Sequence, residues 1–236
     1  MKQVVGLPLI LVAACGLTGQ TQKGRETDLR AENLEQEAAF RRKAISDPNE
    51  IEPFVLAYAG TDAARRALVA RQADLQDAEG CPATLAFLKR VEDGATNDQG
   101  TALRIEAAVR RAELLLRECR DDSGAVEAAR AATTLAVKTQ WLDDANWILG
   151  RACEQAGKLD EALAAYDKIV RSRSDAFPFG SNDSLFLDDA WLAKGLLLEK
   201  LGRYGEARDA LEALLDARDT HLKPKVEQAL ARMKDK

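Results

Sequence analysis

GRACEQAGKLDEALAAYDKIV, residues 150–170, aligns with GLLLEKLGRYGEARDALEALL, residues 195–215, without a gap. Gly150 falls opposite Gly195, Gly157 opposite Gly202, Ala162 opposite Ala207 and Tyr166 opposite Leu211. Each copy carries apolar residues at helical spacing on both sides of a glycine, which predicts a helix, a tight turn and a second helix. The small residues have a physical task, because a glycine on the first helix and an alanine on the second let two helices approach closely. Recurrence of such a pair means that each unit buries its apolar face against the next, so the chain is built by stacking.

Leu149, Gly150, Gly157, Ala162 and Tyr166 in the first copy, and Trp191, Gly195, Gly202, Tyr204 and Ala207 in the second, resemble the tetratricopeptide repeat (TPR) family. The aromatic usual late in the family's first helix is here Cys153 or Leu198, and the proline usual at the repeat end is missing. The resemblance implies an all-α fold, a right-handed superhelical array of antiparallel helix pairs, or TPR-like α-solenoid, over residues 28–236. Its clearest repeats lie at about 143–171 and 188–216.

Working outward, two weaker pairs precede these. Thr61–Ala78 and Pro82–Glu92 flank the turn Glu79-Gly80-Cys81, with Pro82 placed where a helix tolerates proline. Ala102–Cys119 and Gly124–Val137 flank Arg120-Asp121-Asp122-Ser123, where Ser123 is a candidate cap for the second helix. A leading helix is expected over Leu29–Ile45, broken at Asp47-Pro48, and a C-terminal capping helix over about 223–233.

In the TPR family partner peptides lie along a concave face lined by first helices. The resemblance carries those groove positions onto Trp147, Arg151 and Glu154, then Leu192, Leu196 and Glu199. Trp and Arg are frequent interface anchors; packing of Trp147, Leu192 and Leu196 against the neighbouring repeat is the alternative. Between the repeats, RSRSDAFPFGSNDSLFLDD (171–189) places Phe177 and Phe179 in a chain reversal. They serve either as a partner contact or as a tuck beneath the solenoid.

The front of the chain reads differently. Met1-Lys2 precedes an apolar run from Val4 to Ala14, too short to span a bilayer, which needs about 20 apolar residues. That reads as a signal peptide over residues 1–14. Val12-Ala13-Ala14-Cys15 resembles the bacterial lipobox, which implies lipidation at Cys15; a frayed terminus with a chance cysteine is the alternative. Gly16, rather than Asp, after that cysteine implies release to the outer membrane, facing the periplasm. Residues 15–27 then form a flexible tether.

Cys81 and Cys119 sit at the start of one second helix and the end of the next first helix. Antiparallel stacking brings those ends to one edge, which suits a disulfide; two buried free thiols are the alternative. Cys153 occupies a first-helix core position.

The 236 residues carry a net charge of −5, without the basic excess that supplies nucleic-acid affinity. One histidine, His221, and no Cys-x-x-Cys pair leave no basis for a zinc site. Nucleophile elbows and phosphate loops are absent as motifs. Asp121-Asp122, Asp143-Asp144 and Asp188-Asp189 stand near helix N-termini, where acidic groups complement the macrodipole. The sequence therefore predicts no enzyme, cofactor or metal. The two resemblances together imply a membrane-anchored adaptor for other envelope proteins or their extended peptides, of the outer-membrane or pilus assembly kind. A soluble periplasmic organiser, with an incidental Cys15, is the alternative.

Overall fold

In the computed structural model the described residues are Ala38, 47–96, 100–172, 186–217 and 220–234. The expected signal peptide, Cys15, the tether, Phe177 and Phe179 lie outside them, as does the expected leading helix apart from Ala38, which is helical.

Among the described residues there are ten α-helices and no strand. In chain order they are α1 (Ile51–Ala57), α2 (Asp62–Ala78), α3 (Cys81–Gly94), α4 (Thr101–Leu114), α5 (Asp122–Leu135), α6 (Leu142–Gln155), α7 (Leu159–Ser172), α8 (Leu187–Lys200), α9 (Tyr204–Ala217) and α10 (Lys223–Arg232). Each helix packs on its chain neighbour, and α4 also meets α6, the contact expected of successive first helices in a stack. The fold is an α-solenoid of pairs α2/α3, α4/α5, α6/α7 and α8/α9, with α10 across its C-terminal end.

Alanine explains the closeness of the stack. Ala112, Ala125, Ala128, Ala129, Ala152, Ala162 and Ala165 share one buried cluster with Leu149, Cys153 and Tyr166. Short side chains bring helix axes together so that the larger ones interdigitate. At the C-terminal end Val226, Ala229 and Met233 are buried against α8 and α9, while Lys223, Lys225 and Glu227 face solvent. A helix with one apolar and one polar face closes the array.

The turns follow one rule. Gly80, Gly157 and Gly202, between the helices of three pairs, have φ of 75°, 73° and 75°, a left-handed conformation that glycine adopts at no steric cost. In the fourth pair the matching turn falls on Arg120, with φ 53°. A side chain there costs roughly 1–2 kcal/mol. Arg120→Gly, at an exposed site, is expected to raise the melting temperature by about 2–4 °C, corresponding to a net gain near 1 kcal/mol, measurable by circular dichroism.

Several boundaries differ from expectation. The helix expected to run to Cys119 is α-helical to Leu114 and continues as a π-turn over Leu115–Cys119. Ser123 does not cap α5; the helix begins at Asp122, and the Asp121 carboxylate accepts from the Gly124 N–H at 2.9 Å. The sequence reading also missed α1, whose Phe54 and Val55 are buried. Pro53 falls in its first turn, where the backbone N–H groups have no intrahelical acceptor to lose. Cys81 and Cys119 are joined in a disulfide, with Cα atoms 5.8 Å apart, and Cys153 is free and buried.

Candidate functional site

Three first helices, α2, α4 and α6, contribute to one face. Along α4 and the π-turn that continues it, the side chains of Glu106, Arg110, Glu113 and Arg117 recur at three- and four-residue steps and so lie along one stripe. On α6, Asp144, Trp147 and Arg151 do the same. These residues, with Arg65 of α2, Trp141 before α6 and Phe186 before α8, line a recess of about 280 Å³. Four arginines there face three carboxylates.

Glu106 organises the floor. It is 5% exposed, and its two oxygens are taken by Arg65 Nε at 2.6 Å and by Arg110 Nε and Nη2 at 3.0 and 2.9 Å. Burying a carboxylate is costly unless charged donors surround it. Arg65 in turn lies 5.1 Å from the Trp141 ring centre. Asp144 has the opposite fate: burial pushes its carboxyl above the ordinary range, and the charges of Asp143 and Glu106 add to the shift. It therefore neutralises ahead of an ordinary carboxylate as pH falls, and the positive excess of the recess grows.

Trp147 is half-buried. Its ring stacks on Phe186 at 5.4 Å with planes 13° apart, tilts against Tyr166 at 5.7 Å, and carries the Arg151 guanidinium 5.6 Å from its centre. It both packs and lines the recess. Arg151 is exposed and forms no ion pair among the described residues. Glu154 is engaged, accepting the Tyr166 hydroxyl at 3.0 Å, while burial pushes that phenol well above its ordinary range.

The positions carried onto the second repeat do not assemble with these. Leu192, 7% exposed, belongs to the core cluster shared by α8, α9 and α10, so it packs rather than offering a groove contact. Glu199 is bound by Arg232 at 3.0 and 2.7 Å, a bidentate pair that ties α10 to α8. Leu196 remains 37% exposed outside the recess lining. The sequence reading did not select Arg65, Glu106, Arg110, Arg117, Trp141, Asp144 or Phe186. The stripe along α4 and its π-turn was the signal for three of them, Glu106, Arg110 and Arg117, because it continues the α6 groove face into a pair without motif glycines.

Residues 143–175 and 188–221 match the tetratricopeptide repeat model. Both segments are similar to tetratricopeptide repeats. In each segment the motif glycine of the first helix faces a bulky residue of the second, Gly150 opposite Tyr166 and Gly195 opposite Leu211. Among solved structures the chain is similar to the crystal structure of MamA, at 17% identity over 82% of this chain and 92% of that one, with a TM-score of 0.48. No curated protein matches the chain. Among the described residues no group of three or more metal-ligating side chains is assembled, and no helix is long and apolar enough to cross a membrane.

Proposed function

We propose that this chain is a membrane-anchored periplasmic TPR lipoprotein that serves as a protein–protein interaction scaffold in cell-envelope assembly. The groove across α2, α4 and α6 carries the reading. Its two tryptophans, its arginines and its floor held by Glu106 form a preset, partly apolar surface of the kind that anchors a protein partner. The Val12–Cys15 lipobox resemblance supports the anchor, and several acyl chains hold a protein on a bilayer where one does so only marginally.

Two measurements test the two halves. Metabolic labelling with an alkyne palmitate is expected to mark the chain and to lose the mark in Cys15→Ser. No label on the parent chain would instead favour the soluble periplasmic organiser. Cross-linked capture from envelope extract, with residues 16–236 as bait, is expected to return a protein that the Trp147→Ala/Arg151→Ala variant loses. Retention of every captured protein by that variant would move the binding face elsewhere.

A further inference from the structure

The recess holds two arginine–tryptophan stacks, Arg65 at 5.1 Å from Trp141 and Arg151 at 5.6 Å from Trp147. A guanidinium laid on an indole is held in place by the ring while its N–H edge stays available to a planar acceptor. The two stacks differ in what that edge already holds. Arg65 and Arg110 share the single carboxylate of Glu106, whereas Arg151 is exposed and unpaired among the described residues. Beside Arg151 lies an apolar shelf, the Trp147 ring stacked on Phe186.

Size and charge narrow the occupant. About 280 Å³ is at the lower edge of the range for small-molecule sites, and it suits one bulky side chain of an extended segment. The whole chain carries −5, so a local excess of arginine is an exception to the molecule's field and selects at short range. The surface also continues past Arg65 and Arg110 toward Val69, 40% exposed on α2, which supplies a second apolar contact along the same line.

We infer that the groove takes an extended protein segment in which an aspartate or glutamate stands beside a bulky apolar residue, the carboxylate forked by Arg151 and the apolar side chain laid on Trp147 and Phe186. The inference rests on the groove being the binding face, as proposed above, and adds the chemistry that the face selects.

The test is unbiased selection. A phage-displayed random dodecapeptide library is panned on the immobilised full chain, and the most enriched peptides are synthesised and titrated by fluorescence anisotropy. Enriched peptides are expected to share an acidic residue next to Phe, Trp or Leu, and their affinity is expected to fall as salt rises. Arg151→Gln is expected to weaken them about tenfold or more, and Arg151→Lys, which keeps the charge but not the fork, to restore only part of the loss. Thermal melts of both variants matching the parent exclude unfolding as the cause. Peptides without acidic residues that still fail on Trp147→Ala overturn the acidic preference and leave the groove standing. Peptides indifferent to both Arg151→Gln and Trp147→Ala, or no enrichment at all, overturn both.

Discussion

Gly150→Val is expected to destabilise the chain by about 3 kcal/mol and to lower its melting temperature by roughly 6–12 °C. A Cβ built at Gly150 meets the Tyr166 ring at 2.4, 2.7 and 2.9 Å. That ring has nowhere to go: Tyr166 is 0% exposed, its hydroxyl donates to Glu154 at 3.0 Å, and the ring lies tilted against Trp147. The equivalent Cβ at Gly195 meets Leu211 at 2.6 and 2.7 Å, a branched aliphatic chain that can change rotamer, so Gly195→Val is expected to cost less. Gly205, with open space around a Cβ, supplies the control, and Gly205→Ala is expected to stabilise by about 0.4–1 kcal/mol. Pairing Gly150→Val with Tyr166→Leu isolates the clash, because the double variant should be more stable than the sum of the singles predicts. Strict additivity, or an unchanged melting temperature for Gly150→Val, would refute close helix approach as the basis of the stack. The displacement reaches function too: a shifted Tyr166 removes a support of Trp147, so this buried change should weaken peptide binding while leaving the groove's composition intact.

That glycine is also where the sequence was most readable. A glycine on the first helix and an alanine on the second, recurring in two copies around the same turn, have one economical physical reading, which located α6 through α9 with their turns at Gly157 and Gly202, whereas the bulky residue that each glycine faces emerges only from the structure. The edge position of Cys81 and Cys119 followed from antiparallel stacking alone. Legibility failed where the backbone departs from the rule. Arg120 fills a left-handed position that composition would assign to glycine, and the π-turn over Leu115–Cys119 leaves no mark in apolar spacing.

The site was half legible for a different reason. Groove positions carried along the repeat assume that every first helix faces the same opening. At the last pair α10 docks across the stack, Arg232 takes Glu199, and Leu192 becomes core. Toward the N-terminus the opposite holds: α4 lacks the motif yet continues the face through Glu106 and Arg110, residues whose role depends on Arg65, 41 positions upstream of Glu106. A buried carboxylate shared by guanidiniums from two helices is a tertiary fact. No local window in the chain contains it.

The disulfide provides the second large expectation. Removing it in Cys81→Ala/Cys119→Ala is expected to cost about 3–4 kcal/mol, from the loop-entropy model for a 38-residue separation, and to lower the melting temperature by roughly 6–16 °C. The bond joins the first residue of α3 to the last residue of the π-turn after α4, so it pins two successive pairs at one edge. Its loss should act first on that turn, which also places Leu116 and Arg117 in the recess lining. Hydrogen exchange is therefore expected to accelerate over residues 115–121 before the α6/α7 pair responds. Reductant supplies the matching control, lowering the melting temperature of the parent chain and leaving the double variant unmoved. Cys153 does not confuse the comparison: its thiol is buried, burial pushes its ionisation up, and it should resist thiol reagents until the fold opens. A parent chain whose melting temperature and exchange ignore reductant would show that stacking alone, without the cross-link, sets the stability of this edge.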